Sequence, residues 1–232
     1  MKYSIKYEPS YAMLVVNLKA GEEIVGEAGA MTYMSSNIEV RTRKRERSIL
    51  GTLGMSLLGG QSLFVNDFYA RGGPGQLGLA AAPVGDITKL DVEPGSGYVI
   101  QKSSYLASTV DVDLDVKWEG FTKGLFGQGL FMVKVSGRGD LFVNTFGAID
   151  QHKLKPGEEL VVDNFHLVAF SDECDYRVEQ FGGWKETILS GEGLVTRIRG
   201  PGDVYLQTKN LREFVDWLWV LMAHRVGSRK AR

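Results

Sequence analysis

The sequence has little cysteine or proline and no long apolar run, and each shortage excludes a class of protein. A single cysteine, Cys174, among 232 residues rules out an intramolecular disulfide and gives no sign of an oxidising compartment. Six prolines beside 29 glycines favour tight turns over a disordered, proline-rich chain. No segment approaches the ~20 apolar residues of a membrane-spanning helix, and the N-terminus lacks the apolar run of a signal peptide. The sequence therefore predicts a soluble, cytoplasmic protein.

The charges are nearly balanced, which bears on the kind of partner. There are 27 lysines and arginines against 28 aspartates and glutamates, a formal net charge of −1. Binding to phosphate backbones requires an excess of basic side chains. Nucleic acid is therefore not expected as a partner.

Residues of the common catalytic and metal sites are also scarce. With three histidines and one cysteine, no zinc site of matched ligand spacing can be assembled, and no Gly-x-Ser-x-Gly elbow or phosphate-binding loop occurs. Asp111, Asp113 and Asp115 have the spacing of the start of a calcium loop. However, Val116 and Thr122 occupy the positions where that loop needs glycine and glutamate. We expect no catalytic residue, no metal and no cofactor, and so no enzyme.

Internal repetition is the strongest feature that is present. Three glycine-rich segments have leucine in fourth place, namely GQSLFV (60–65), GQGLFM (127–132) and GEGLVT (191–196). Each is followed by a second glycine turn, in GPGQLGL (73–79), GRGDLFV (137–143) and GPGDVYL (200–206). Each is preceded by a further anchor, AGEEIV (20–25), PGSGYV (94–99) or PGEELV (156–161). Glycines at fixed places are typical of hairpin corners, so the order predicts three diverged copies of a β-unit of about 65 residues.

Aligning the anchors makes apolar residues alternate at matched positions, as in a half-buried strand. The matched sets are Ile38, Val112 and Cys174; Val40, Leu114 and Tyr176; and Thr42, Val116 and Val178. Two further sets are Met31, Tyr105 and Leu167, and Leu63, Leu130 and Leu194. Cys174 thus takes the place of a small buried apolar residue rather than of a reactive thiolate. The sequence predicts a single all-β domain over 1–232, with repeats at about 11–80, 81–145 and 146–208 in a pseudo-threefold arrangement.

After residue 208 the pattern becomes helical. Asn210 followed by Glu213 has the spacing of a capping box, and an apolar run follows. This run predicts a helix over about 211–225 that Trp217 and Trp219 help to make apolar nearly all round. A helix that is buried on one side needs apolar residues on that side only. We expect a homo-oligomer, because so much exposed hydrocarbon is unfavourable in a monomer.

The segments GQSLF, GQGLF and PGEELVVDN, together with the chain length, resemble the altered-inheritance-of-mitochondria family over essentially the whole chain. The resemblance implies a compact antiparallel β-structure like that of the trp RNA-binding attenuation protein, and it slightly favours a trimer. It does not imply RNA binding, because a fold alone does not carry a site. Eukaryotic members are linked to mitochondrial inner-membrane organisation. That role does not simply transfer, since the N-terminus lacks the composition of a transit peptide.

One charged cluster stands out in the first repeat. Four arginines alternate with other residues, namely Arg41, Arg43, Arg45 and Arg47. An extended backbone places them on one face over roughly 20 Å, and a leucine- and methionine-rich segment follows as far as Leu58. The simplest interpretation is a solvated sheet edge that charge protects from pairing. The alternatives are contact with an anionic membrane surface, or with the acidic face of another copy at Asp111, Asp113 and Asp115.

Two functions remain open on these grounds. The leading one is a non-enzymatic oligomeric scaffold or binding module that contacts protein or, peripherally, a membrane surface. Its interaction residues would be the charged rows and the helix tryptophans. The alternative is a small-ligand-binding β-protein with a pocket between repeats. The pocket would be lined by Tyr98, Tyr105, Phe165 or Trp184, although such aromatic residues are more often part of the core.

Overall fold

The computed structural model describes residues 1–45, 63–81, 83–119, 130–180 and 194–229, and of residues 43–45, 116–119, 130 and 224–229 it describes the backbone alone. Over these ranges the chain forms antiparallel strands and a single C-terminal α-helix, so the predicted all-β class with one such helix is confirmed. Arg47, Leu58 and Trp184 lie outside the described residues. Within the described ranges no helix is long and apolar enough to cross a membrane.

The strands fall within the predicted repeat limits, apart from the N-terminal β1 (Lys2–Lys6). The first repeat contains β2 (Met13–Leu18), β3 (Glu23–Glu27), β4 (Met31–Met34), β5 (Ile38–Arg45), β6 (Leu63–Ala70) and β7 (Gly75–Leu79). The second contains β8 (Ile87–Val92), β9 (Tyr98–Gln101), β10 (Tyr105–Ser108), β11 (Val112–Glu119), β12 (Leu130–Gly137) and β13 (Gly139–Asn144), with a 3-10 turn at Lys102–Ser104. The third contains β14 (Ile149–Leu154), β15 (Glu159–Asp163), β16 (Leu167–Ser171), β17 (Asp175–Gln180), β18 (Leu194–Arg199) and β19 (Gly202–Gln207). Helix α1 (Leu211–Arg229) follows and runs past the predicted end near 225.

The same two strand triplets occur in each repeat. One triplet has the order β2-β7-β4, β8-β13-β10 and β14-β19-β16, and the other has the order β3-β6-β5, β9-β12-β11 and β15-β18-β17. Two joints connect consecutive repeats, because β3 pairs with β10 and β9 pairs with β16, both antiparallel. The pairing order therefore recurs three times along the chain. The pseudo-threefold arrangement of the repeats in space stays a prediction.

A register irregularity also recurs at an aligned position. It lies between Met31 and Tyr33 on β4, between Tyr105 and Ala107 on β10, and between Leu167 and Ala169 on β16. The first residue in each case belongs to one of the sets matched from the sequence. A bulge of this kind leaves one residue unpaired and bends the strand, so the three strands are shaped alike.

The predicted equivalence of Leu194 with Leu63 and Leu130 is wrong by one residue. Leu63 lies opposite Arg45 and Leu130 lies opposite Glu119, and these partners come seven residues after the matched positions Ile38 and Val112. Leu194 lies opposite Gln180, which comes only six residues after the matched Cys174. A shift of one residue moves a side chain to the other face of a strand. Leu63 is accordingly buried, whereas Leu194 is only half-buried and the next residue, Val195, is buried instead.

The third residue of each second glycine turn packs against a core side chain from the matched set. A methyl group added to Gly75 would lie 2.9 Å from Cγ1 of Ile38, and one added to Gly202 would lie 2.5 Å from Sγ of Cys174. In the second repeat a methyl group on Gly139 would lie 1.9 Å from Oγ1 of Thr109 and 3.3 Å from Cγ2 of Val112. Glycine is needed there because the side chain opposite occupies the space of a Cβ atom.

The described residues form three buried apolar clusters, and each cluster combines residues from neighbouring repeats. The first joins Phe68 to Phe142 of the second repeat. The second takes in Val25 of the first repeat, and the third joins Phe170 to Val99 of the second. The joints between repeats are therefore stabilised by apolar burial as well as by strand hydrogen bonds.

Candidate interaction surfaces

The predicted arginine row lies along β5, an edge strand, at Arg41, Arg43 and Arg45. Arg41 is exposed, and its Nη2 lies 3.8 Å from Oε2 of Glu39, two residues earlier on the same strand. Glu39 also accepts a hydrogen bond from Arg71. Exposed ion pairs of this kind contribute little to stability. Charge on an edge strand is nevertheless typical of an edge protected from pairing with other chains.

The predicted acidic row is only partly on a strand. Asp113 and Asp115 lie on β11, but Asp111 lies in the turn before it, so the prediction of one continuous acidic strand face is wrong at Asp111. Asp115 lies opposite Lys134 of β12, which is a favourable cross-strand pair. Strands β5 and β11 approach to within 8 Å, Cα to Cα, in the same chain. The two charged strands are thus neighbours without a second copy.

Helix α1 begins as the sequence predicts. The side-chain Oδ1 of Asn210 accepts hydrogen bonds from the backbone N–H groups of Arg212 at 2.9 Å and Glu213 at 3.3 Å. These bonds satisfy two of the donors that a helix N-terminus leaves free. The ring of Phe214 packs against Phe146, with centroids 5.4 Å apart. The first turn of α1 is therefore fixed to the β-structure.

Beyond this turn the apolar surface of α1 is uncovered. From Leu211 to Ala223 every side chain is exposed except Leu218, which is half-buried. Trp217 is 57% exposed and Trp219 is 69% exposed. The aliphatic residues on the remaining sides are exposed too, so the helix has no single buried face. Exposed apolar surface of this extent is typical of an interaction site.

Two further edge strands, β4 and β15, were not singled out by the sequence. All four side chains of β4 are exposed, whereas all of β10 and the first four residues of β16, which take the same place in their triplets, are buried. Strand β4 (MTYM) has no charged residue, while each of the other described edge strands carries charges. On β15 the exposed apolar residue is Val161. Sequence reasoning missed this edge because Met31 aligns with Tyr105 and Leu167, which are both buried.

The described aromatic residues of the predicted pocket, Tyr98, Tyr105 and Phe165, lie in the core or beside the helix. Tyr105 is fully buried, and its hydroxyl lies 3.3 Å from the carbonyl of Val25 and 3.1 Å from Oγ of Ser108. Tyr98 packs against the same apolar cluster. A guanidinium group of α1 lies 5.4 Å from the ring centroid of Phe165. Tyr98 and Tyr105 thus contribute to packing, and Phe165 contributes to the contact with α1.

Two half-buried groups, Glu27 and Lys102, have pKa values shifted by desolvation. Burial raises the pKa of Glu27 to about 7, and the positive charge of Lys102 opposes that shift. Burial lowers the pKa of Lys102 in turn, opposed by Glu27. A carboxyl group that titrates near neutral pH makes stability depend on pH in the physiological range.

Cys174 has the environment of a core residue. Burial, followed by the negative charges around it, of which Asp203 is the largest, raises the pKa of the thiol to about 11. The sulfur lies 3.2 Å from the carbonyl oxygen of Pro201. At neutral pH such a thiol stays protonated and is a poor nucleophile. In the described ranges no group of three or more His, Cys, Asp or Glu side chains is arranged to hold a metal ion.

Fold and surface together define an all-β protein of recurring strand triplets that ends in an exposed apolar helix. The chain belongs to the mitochondrial biogenesis AIM24 family, which it matches over residues 3–209. The predicted resemblance to the altered-inheritance-of-mitochondria family is thereby confirmed. The likeness to the trp RNA-binding attenuation protein stays a prediction.

Two proteins of Streptococcus pyogenes are similar over nearly their whole length. The chain is 29% identical over 225 residues to the uncharacterized protein M6_Spy0233 of serotype M6, covering 94% of this chain and 90% of that one. It superposes on the crystal structure of protein SPYM3_0169 with a TM-score of 0.76 at 27% identity, covering 95% of this chain and 99% of the other. Neither name states an activity, so the two proteins support the fold rather than a function.

Proposed function

We propose that the chain is a non-enzymatic, homo-oligomeric scaffold whose copies associate through helix α1. The observation that carries the proposal is the apolar, exposed circumference of this helix, with both Trp217 and Trp219 largely open to solvent. Removing such side chains from water is favourable by about 1.5–3 kcal/mol for each large one that is fully buried. Several of them on one helix supply a substantial driving force for association.

The distribution of apolar residues favours a bundle of helices over a lipid surface. A helix that lies in a membrane interface has one apolar face and one strongly charged face. In contrast, α1 has a single charged residue, Asp216, between Phe214 and Ala223. A helix that is apolar all round needs neighbours on more than one side, and the same helix from two other copies provides them. A trimer is therefore the favoured assembly.

The charged strands fit the same proposal. Arg41 lies 3.8 Å from Glu39 and opposite Asp67 on β6, so acidic residues of the same chain lie beside the start of the arginine row. This reduces the charge left over for an anionic membrane. The single free, buried cysteine fits a reducing, cytoplasmic setting.

The test is the mass of the native particle at micromolar concentration, measured by light scattering after size-exclusion chromatography. We expect the wild-type chain to be oligomeric and the double variant Trp217→Glu/Trp219→Glu to have a lower mass. Asp216→Gln, on the same helix and also exposed, is the matched control and should keep the wild-type mass. A wild-type chain that is monomeric would overturn the proposal, as would a tryptophan variant of unchanged mass.

A further inference from the structure

We infer that the open edge of β4 pairs antiparallel with the open edge of β15 from a second copy of the chain, so that copies join head to tail. This inference rests on the proposed self-association but assigns it a surface other than α1. It follows from the strand pairing inside one chain, where the same joint occurs twice.

The two internal joints share one register. In the first joint Val25 on β3 lies opposite Ser108 on β10, and in the second Val99 on β9 lies opposite Phe170 on β16. Each valine is the sixth residue of its anchor, as is Val161 on β15. Ser108 and Phe170 each lie three residues after the residue that precedes the bulge on their strand, Tyr105 or Leu167. On β4 the residue in the same place is Met34, three residues after Met31. A joint of the same register between two copies therefore places Val161 of one copy opposite Met34 of the other.

The backbone hydrogen-bonding groups agree with this register. Such groups face alternate sides along a strand. The N–H of Ser35 donates to a carbonyl of β7 at 2.9 Å, so the N–H and C=O of Met34 face the open edge. On the other strand, the carbonyl of Glu158 accepts from the N–H of Gly200, directly after β18, and the N–H of Asn164 donates to Leu194 of β18. These even-numbered residues face β18, so the N–H and C=O of Val161 face outward. Among the described residues, no strand pairs with the outward-facing backbone groups of Met34 or Val161.

The side chains of β4 are those of an uncovered interface. Met31, Tyr33 and Met34 are 43%, 37% and 38% exposed, and Val161 on the other edge is 42% exposed. A methyl group on Gly78 would lie 2.4 Å from Cε1 of Tyr33, so the tyrosine ring packs directly on the neighbouring strand. Its hydroxyl also donates to Oε1 of the β7 glutamine at 3.1 Å. Contacts within the chain therefore hold the Tyr33 side chain against β7.

A second copy is the partner that these features fit. An apolar edge strand without charge is a template for pairing with another strand, and the strand of matching register on this molecule is β15. Within one chain the two edges belong to separate sheets and are not paired. The joint is heterologous, so each copy offers both edges. The copies form a closed ring if the rotation per copy closes and a filament if it does not.

Cysteine cross-linking of the full-length chain tests the joint. In a Cys174→Ser background, the pair Met34→Cys/Val161→Cys brings two thiols into register, because directly opposed strand residues have Cα atoms about 5.5 Å apart. The matched control is Met34→Cys/Glu159→Cys, on the same strands and face but two residues out of register. Under copper-phenanthroline oxidation we expect the first pair to give a ladder of covalent multimers that dithiothreitol collapses. We expect the second pair to remain largely monomeric.

The outcomes separate this joint from the helix contact. No multimers, or equal multimers from both pairs, would overturn the joint. A disulfide confined to monomers would overturn the role of a second copy, since it shows the chain closing on itself. A second measurement uses Met34→Lys with unaltered α1, which should lose mass in light scattering while keeping the wild-type far-ultraviolet circular dichroism spectrum. If Trp217→Glu/Trp219→Glu leaves the particle mass unchanged while the in-register ladder persists, the helix proposal fails and this joint stands.

Discussion

Replacing Glu27 by glutamine is expected to stabilise the protein above neutral pH and to leave it unchanged in acid. Glu27 lies at the end of β3, and its pKa is raised by burial from 4.5 to about 7. Below pH 4.5 the carboxyl is protonated in both the folded and the unfolded chain, so it has no differential effect. Between pH 4.5 and 7 the folded chain retains a proton that the unfolded chain releases, and stability falls as pH rises. Above pH 7 the loss is complete.

The magnitude follows from the same pKa values. Each pKa unit corresponds to about 1.4 kcal/mol. The difference between 4.5 and about 7 then corresponds to a loss of about 3 kcal/mol across this range. Glutamine has a similar shape and no charge to desolvate. We therefore expect Glu27→Gln to be more stable than wild type by up to about 3 kcal/mol at pH 8.5 and by nothing at pH 4.

Urea unfolding at a series of pH values from 4 to 8.5 measures this difference. Protein concentration must be the same throughout, because self-association adds to apparent stability. Glu23→Gln, at the other end of β3, is the control for loss of one negative charge. Wild-type and Glu27→Gln stabilities that stay parallel across the series would refute the reasoning. So would a glutamine variant that is less stable than wild type at pH 8.5.

Three further predictions concern a thiol, a helix cap and the arginine row. Because burial and nearby charge raise the pKa of Cys174 to about 11, its reaction with Ellman's reagent at pH 8 should be slow until urea is added, and fast reaction of the folded chain would contradict the buried site. Asn210→Ala should destabilise α1 by about 1 kcal/mol. Circular dichroism during thermal melting should show the loss, and Asn210→Ser should restore it. Replacing Arg41, Arg43 and Arg45 together by glutamine should leave flotation with anionic vesicles at its wild-type level, because the row is expected to face acidic side chains rather than lipid. Salt-sensitive flotation of wild type that the glutamine variant loses would favour the membrane interpretation.

Much of the fold could be predicted because two local rules act together. Alternation of apolar residues located the strands, and glycines at fixed places located the corners between them. Cys174 is an example, since its alignment with Ile38 and Val112 predicts a buried residue. In the structure all three side chains pack on the glycine of a following turn. The start of α1 at Asn210 was equally predictable, because capping is a local interaction.

What the sequence did not reveal depends on neighbours distant along the chain. Leu194 is displaced by one residue, since strand register is fixed by cross-strand partners that a glycine anchor does not report. Asp111 has the alternation of a strand but lies in a turn. The exposure of Met34 and Val161 arises because the first and last repeats each lack a neighbour on one side. No local pattern in residues 31–34 or 159–163 records that lack.

The joints between repeats also bear on how the chain folds as it leaves the ribosome. The outer side of β3 is closed by β10, about 80 residues later, which is roughly 4–16 s of synthesis at 5–20 residues per second. The outer side of β9 likewise stays unpaired until β16 has been synthesised. At every stage the nascent chain therefore carries one strand, besides β4, whose outer side is not yet paired, and each new repeat covers the previous one while exposing its own. Under the inferred joint, neighbouring copies made on one polysome meet with the edges of β4 and β15 already formed.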